Sequence, residues 1–148
     1  KKLLINTIKQ KVENEANNIF IKFEGNNNYI LKINDQYKLE MFEKDYQENP
    51  LEISTGQSVI VMYSLIYAFR KAANFDGVLF IDNIFPNLSE KNKQITLDIV
   101  PQIFDHIILT QLEDTKEINN KIAENSNNIY FLKRKNSAST EIIDNKYL

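Results

Sequence analysis

The sequence predicts an α/β fold with a mostly parallel sheet and flanking helices. Two short, continuous apolar runs, at 78–81 and 107–109, are typical of strands that are covered on both faces, as in a parallel sheet. A segment with helical periodicity, Ser89 to about Val100, separates the two runs, and a second one, Glu113–Glu124, follows them. The order strand, helix, strand, helix requires crossover connections, and it is this order that indicates the fold class.

Composition limits the kinds of protein that this chain can be. Its 148 residues, 43% of them hydrophobic, are enough for one compact core, and the absence of cysteine excludes disulfides and thiolate metal sites. The net charge of −2 argues against nucleic-acid binding by bulk charge, so a role on DNA would need a local patch or a partner. The apolar runs are too short to span a bilayer, and Lys1-Lys2 leads into amphipathic sequence rather than a signal peptide. We therefore expect a cytoplasmic protein with no membrane partner.

The N-terminal part of the chain predicts a long helix and then a hairpin. Apolar residues at spacings of three and four form one helical stripe up to about Phe23, namely Leu4, Ile8, Val12, Ala16, Ile19 and Phe20. The helix starts without a cap, as at the end of a coiled coil, and Gly25 ends it. Tyr29–Ile33 and Tyr37–Phe42 alternate like strands, with a tight turn at Asn34–Gln36 between them.

Caps and apolar patterning place the remaining elements. A strongly apolar helix runs from Ser54 to about Ala73, and the two buried strands are predicted at 77–82 and His106–Thr110. Residues 128–132 and 140–143 predict a closing hairpin. We therefore expect a coiled-coil end at residues 1–24 and a globular lobe at residues 25–148.

Three segments carry the chemistry, and the first is Ser54-Thr55-Gly56-Gln57 at the start of the long helix. A helix N-terminus presents unpaired N–H groups and partial positive charge, which suit a phosphate. Gly56 lets a ligand approach the backbone closely, and the Ser54 hydroxyl adds a donor. Ser-x-Gly is also an ordinary helix cap, so both interpretations stay open at this point.

The second segment is the apolar strand that ends on Asp82, and the third is the turn Phe85–Ser89 into the next helix. An acidic residue at the carboxyl end of a buried strand points into the crevice where α/β folds bind ligands, and in nucleotide-binding folds it holds Mg²⁺. The alternative is a strand-end aspartate that caps a turn. Taken alone, the turn is only a loop followed by a serine cap.

In this order and spacing, the segments resemble the C-terminal half of an ABC/SMC-type P-loop ATPase head. Ser54-Thr55-Gly56-Gln57 resembles the ABC signature, 78–82 the Walker B strand, and Pro86-Asn87-Leu88-Ser89 the D-loop. The chain is most similar to SMC-like ATPases, especially the DndD-type proteins of DNA phosphorothioation systems. The similar flanking segments are Glu15–Phe20, the 32–39 hairpin, the 107–109 strand, Thr115–Ile118 and the final Ser/Thr-rich hairpin ending Lys146-Tyr147.

The resemblance implies ATP, Mg²⁺ and partner polypeptide. Such heads are assembled from N- and C-terminal lobes separated by a coiled coil, and two heads sandwich two ATP molecules. By this resemblance Ser54 and Gly56 would contact the γ-phosphate of ATP held by the opposite head. Asp82 would coordinate Mg²⁺ on its own head's nucleotide, and Asn87–Ser89 would line the seam between heads.

The sequence departs from the family pattern in three places. No G-x-x-x-x-G-K-[ST] loop can be drawn from the three glycines, so the cradle for the α- and β-phosphates must come from a Walker A lobe, on this polypeptide or another. Asn83 stands where most ABC ATPases have the glutamate that activates water, and an amide cannot accept that proton. The switch-loop histidine is absent: Gln111 occupies the loop, where it could replace that contact, and His106 is interpreted as structural.

The leading hypothesis is therefore half of an SMC-like ATPase that closes on ATP through its signature motif and acts on DNA, in modification-linked defence or repair. It would be an ATPase only when completed by a Walker A lobe, with weak hydrolysis because of Asn83. One alternative is a catalytically silent ATP- or partner-binding module on the same fold. Another is an unrelated α/β interaction domain in which the motifs are accidents of caps and strand ends.

Three charged segments have simpler interpretations than a site. Glu113-Asp114 could pair on a metal but fits a solvated loop. Lys133–Lys135 could touch DNA phosphates but fits an exposed strand edge. Arg70-Lys71 most simply complements the dipole of the preceding helix.

Overall fold

The computed structural model describes residues 2–82, 88–110, 115–127, 129–136 and 139–144. They divide into two compact units, residues 1–112 and residues 113–148. The first unit holds α1 (Lys2–Glu24), β1 (Tyr29–Ile33), β2 (Leu39–Glu43), α2 (Thr55–Ala73), β3 (Leu79–Asp82), α3 (Glu90–Ile103) and β4 (Ile107–Thr110). The second holds α4 (Lys116–Glu124), β5 (Tyr130–Asn136) and β6 (Ser139–Asp144). The predicted boundary after residue 24 stays a prediction.

The core of the first unit lies between α1 and α2. The C-terminal part of the predicted α1 stripe is buried, and Phe23 stacks on Tyr63 of α2 with 6.3 Å between ring centroids. Leu4 and Ile8, on the first turns of the same stripe, are exposed. The stripe therefore continues beyond the surface that α2 covers. Gly25 follows the helix with a positive φ of 69°, as predicted for the residue that ends it.

The β1–β2 hairpin is antiparallel and confirms the prediction, with Ile33 opposite Leu39. The Asn34 side chain accepts hydrogen bonds from the backbone N–H of Gln36 and of Lys38, which closes the turn. Tyr37 takes a left-handed φ of 60° in that turn, so the second strand begins at Leu39, two residues later than predicted.

Side chains of α1 form hydrogen bonds with the backbone of β1, which was not predicted from the sequence. Asn17 donates to the carbonyl of Leu31 at 2.8 Å and accepts from the N–H of the same residue at 2.7 Å. A carboxylate oxygen of Glu13 accepts from the N–H of Ile33 at 2.6 Å. These side chains occupy backbone groups that a neighbouring strand would otherwise bond, so the edge of the hairpin is closed by a helix.

The pair β3–β4 is parallel, as predicted, with Leu79 opposite Ile107 and Asp82 opposite Thr110. The prediction that both faces are covered is wrong for the described residues. Ile81 is 8% exposed, whereas Phe80 and its cross-strand partner Ile108 are 72% and 50% exposed. Side chains alternate between the two faces of a strand, so Phe80, Ile108 and Val78 share one face, here called the uncovered sheet face. A continuous apolar run predicts that both faces of a strand are covered, but the described residues cover only one face of this pair.

Helix α3 begins after the Ser89 cap, as predicted, and continues past Val100 and Pro101 to Ile103. In the second unit, α4 begins after Thr115 and the closing hairpin β5–β6 is antiparallel, which confirms both elements. Lys133–Lys135 lie within β5 rather than at its end. Residues 113 and 114, with which the fourth helix was predicted to begin, lie outside the described residues. None of the helices among the described residues is long and apolar enough to cross a membrane.

Candidate functional site

The N-terminus of α2 is built by a reciprocal cap. Ser54 is extended, with φ −65° and ψ 159°, and its Oγ accepts from the Gln57 N–H at 3.3 Å. The Gln57 Oε1 accepts in return from the Ser54 N–H at 3.2 Å. This capping box satisfies two donors that the helix itself leaves unpaired, and it confirms that Ser54 is a helix cap.

After capping, the N-terminal end of α2 still has hydrogen-bond donors that could bind a ligand. A serine oxygen that accepts a hydrogen bond still has its O–H to donate, and Ser54 is exposed. Thr55 beside it is exposed, and Gly56 is half-buried. The backbone N–H groups at the first helical positions have no acceptor within the helix, so the end of α2 presents donors and partial positive charge together. The arrangement suits an anionic oxygen.

Asp82 is the last residue of β3 and lies exposed at the carboxyl end of the parallel pair. Thr110 ends β4 directly opposite, and its Oγ1 donates to Asp82 Oδ1 at 2.5 Å. Thr110 is not among the site residues predicted from the sequence. The available signal was that two consecutive parallel strands end on Asp and Thr, because matching strand ends meet at one edge of a sheet.

The capped end of α2 and the Asp82 carboxylate belong to different elements of this lobe. Within the described part of the chain, no hydrogen bond or ion pair joins Ser54–Gln57 to Asp82. The cavity of ≈ 470 Å³ between α1 and β1, lined in part by Asn17 and Leu31, includes neither of them.

The remaining predicted site residues fall in two groups, one outside the described residues and one at the start of α3. Asn83, Asn87 and Gln111 lie outside the described residues. Ser89 caps α3 by accepting from the Asn92 N–H at 3.3 Å, and the Leu88 side chain is only 7% exposed, so it points into the lobe rather than toward a seam.

His106 precedes β4 and lies at the opposite end of the strand from Thr110, with an exposed side chain. Its carbonyl accepts from the Leu79 N–H at 2.8 Å, so its backbone helps to start the parallel pair, in line with a structural interpretation. The imidazole is not at the edge where Asp82 lies.

Arg70 does more than complement the dipole of α2. Its guanidinium donates to the Gly77 carbonyl at 2.5 Å, pairs with Asp76 at 3.3 Å, and lies 5.2 Å from the centre of the Phe104 ring. Arg70 thereby ties the end of α2 to the loop that leads into β3 and to the residue that follows α3.

The described residues contain no group of three or more His, Cys, Asp or Glu side chains that could hold a metal ion by themselves. Mg²⁺ at nucleotide sites takes one or two carboxylates and completes its shell with phosphate oxygens and water. Asp82, a single exposed carboxylate at a strand end, fits that donor set. It would hold the ion together with the nucleotide. Glu113-Asp114, the other carboxylate pair considered, lies outside the described residues.

Comparison with known proteins shows which proteins this chain is similar to. No family model matches the chain. The DNA double-strand break repair Rad50 ATPase of Sulfurisphaera tokodaii is 29% identical over 152 residues, which cover 96% of this chain but only 16% of that protein. The chain thus spans about a sixth of the length of the curated relative that it matches.

Solved structures of SMC heads match at the level of fold. One structure comes from work on the ATP-driven dimerization and DNA-stimulated activation of SMC ATPases. It superposes with a TM-score of 0.72 and 15% sequence identity, over 97% of this chain and 89% of that chain. An SMC head bound to the C-winged helix domain of ScpA gives 0.70 and 15%, over 97% of this chain and 45% of that one. The head domain from Thermotoga maritima gives 0.62 and 11%, over 91% and 47%. The chain therefore has the mixed α/β fold found in SMC heads and is similar to the C-terminal region of an SMC/Rad50-like ATPase head.

Proposed function

We propose that this chain is the C-terminal lobe of an SMC-like ATPase, which closes on ATP through the capped end of α2 and acts on DNA. The observation that carries the proposal is the order of the parts within this fold. A helix capped by Ser54 precedes a parallel pair with Asp82 at its carboxyl edge, and Ser89 caps the helix between the two strands. This is the order of the signature, Walker B and D-loop segments that the sequence resembles.

The phosphate cradle would come from a Walker A lobe that covers the uncovered sheet face. Phe80, Ile108 and Val78 form an apolar surface on a two-stranded parallel pair. Parallel strands normally lie in sheets that are covered on both faces, and an aromatic group so exposed in a lone domain favours association. A lobe that lies over this face would complete the sheet and bring a nucleotide to Asp82.

The resemblance to the signature and Walker B segments implies two roles at two nucleotides. Ser54, Thr55, Gly56 and Gln57 would present N–H and O–H donors to the γ-phosphate of ATP held by a second head. Asn87 and Ser89 would border the seam between the heads, whereas Leu88 is buried in the lobe. Asp82 would hold Mg²⁺ on the nucleotide of its own head, with Asn83 orienting water and Gln111 contacting the γ-phosphate. An amide accepts no proton from water, and general-base help is worth ~10²–10⁴-fold, so hydrolysis would be slow and closure on ATP would be the main event.

Within SMC-like ATPases, we propose a role in modification-linked defence, as in DndD-type proteins, or in repair, the process for which the Rad50 relative is named. The DndD type is supported by the resemblance of the flanking segments and by the asparagine at position 83, since DndD-like proteins also tend to lack glutamate there. DNA would be engaged by the full assembly, because the net charge of this chain is −2.

The proposal is tested by nucleotide binding with and without a Walker A lobe. The chain alone should bind ATP poorly, and addition of the lobe should restore binding that Asp82→Ala weakens in the presence of Mg²⁺. Ser54→Ala should leave nucleotide binding to one head intact and abolish ATP-dependent dimerization of heads, measured by light scattering. ATP hydrolysis at a normal rate by the chain alone would contradict the proposal.

The alternative is a silent module on the same fold, and the specific observations that favour it are Asn83 and the absence of the switch-loop histidine. Turnover of the completed head, with Asp82→Ala as the control, separates the two. Turnover above the Asp82→Ala background supports an ATPase, whereas turnover equal to that background, with ATP still bound, supports the silent module.

A further inference from the structure

The contact between Asp82 and Thr110 joins the ends of two strands that are 28 residues apart in sequence. The two residues are register partners, so the sheet itself sets the spacing of their backbones. Both side chains are exposed, and Thr110 Oγ1 donates to one oxygen of the carboxylate, Oδ1. The hydrogen bond engages Oδ1 and not the second carboxylate oxygen, Oδ2.

We propose that Thr110 is a positioning residue that orients the Asp82 carboxylate for a divalent cation. The inference rests on the proposed function, because it takes Asp82 as the carboxylate that holds Mg²⁺. A free aspartate at a strand end samples several rotamers and has to lose that freedom when the ion binds. A hydrogen bond to Oδ1 restricts the side chain beforehand and would leave Oδ2 as the oxygen for the ion. Groups that orient metal ligands in this way commonly change metal affinity by ~10–100-fold.

The chemistry of threonine suits this task. Its branched Cβ restricts the first side-chain torsion, so the hydroxyl is itself held in place. An uncharged donor also leaves the negative charge of the carboxylate available to the cation, whereas a lysine or arginine at this position would compete with it. Since water can reach both side chains, loss of the hydrogen bond should change the fold little. The hydroxyl therefore matters for the orientation of the carboxylate more than for stability.

The test measures cation binding by the head completed with its Walker A lobe. Mn²⁺ binding is titrated by electron paramagnetic resonance in the presence of a non-hydrolysable ATP analogue. Analogue binding is measured separately in EDTA. Thr110→Val keeps the shape and removes the hydroxyl, Thr110→Ser keeps the hydroxyl, and Asp82→Ala removes the ligand. We expect Thr110→Val to weaken Mn²⁺ binding by about 10-fold, Thr110→Ser to stay within about 2-fold of the parent, and analogue binding in EDTA to be the same in all three.

The outcomes separate this inference from the proposed function. If Asp82→Ala weakens Mn²⁺ binding and Thr110→Val does not, the positioning role is overturned and the proposed function stands. If Thr110→Val weakens analogue binding in EDTA as much as it weakens Mn²⁺ binding, the residue is structural and the inference is again overturned. If Asp82→Ala leaves Mn²⁺ binding unchanged, the proposed role of Asp82 fails and takes this inference with it.

Discussion

Truncation of Phe80 tests whether the uncovered sheet face is where a Walker A lobe docks. The Phe80 side chain is 72% exposed in this chain. A phenylalanine buries ~150–250 Å² when fully covered, so roughly 110–180 Å² of its surface remains available to a partner. At ~25 cal/mol/Å² that surface corresponds to about 3–4.5 kcal/mol of association free energy. Because alanine retains part of the area, Phe80→Ala should weaken association by about 2–3 kcal/mol, or ~30–200-fold in Kd.

The assay is isothermal titration of this chain with a separately produced Walker A lobe. Tyr46→Ala is the matched control, since Tyr46 is an aromatic residue that is 75% exposed but lies in the segment after β2, away from the uncovered sheet face. The chain without the lobe should keep its unfolding midpoint in urea in both variants, because neither residue is buried. If Phe80→Ala binds the lobe as tightly as Tyr46→Ala does, the uncovered sheet face is not the docking surface and the reasoning from exposed apolar area is wrong.

Three further predictions concern stability, each measured by urea unfolding. Asn17→Ala leaves the N–H and carbonyl of Leu31 without their partner and should lower the free energy of unfolding by about 2–3 kcal/mol. As a control, Asn18→Ala replaces an exposed residue and should change the free energy of unfolding by less than ~0.5 kcal/mol. Equal effects of the two substitutions would contradict the role of Asn17. Thr96 Oγ1 is buried without a hydrogen-bond partner among the described residues. Thr96→Val should therefore leave the free energy of unfolding unchanged or raise it by up to ~1 kcal/mol. A clear decrease in the free energy of unfolding would show that the hydroxyl has a hydrogen-bond partner. Burial raises the pKa of Tyr63 from 10.0 to about 12. Between pH 10 and pH 12 the phenol therefore loses its proton in the unfolded state but keeps it in the folded state. The free energy of unfolding should fall by about 2–3 kcal/mol as the pH rises through this range. Tyr63→Phe should remove that decrease.

Elements that depend on groups close together in the chain were predicted well. Ser54 and Gln57 are three residues apart, and they form the cap that begins α2 where the sequence placed it. The turn around Asn34 and the Ser89 cap follow from the same kind of local hydrogen bond. The site was predicted less completely, because the sequence identified Asp82 and not the hydroxyl that contacts it.

The sequence by itself determined the order of helices and strands and the caps, because side chains and backbone within a few residues of one another decide these features. Only the tertiary structure decided that Thr110 bonds Asp82 and that Asn17 bonds Leu31, since both contacts depend on register and packing between distant segments. It also decided that Phe80 lies exposed while Ile81 is buried. An apolar run states that a strand has to be covered, but which face is covered depends on the elements that pack against it.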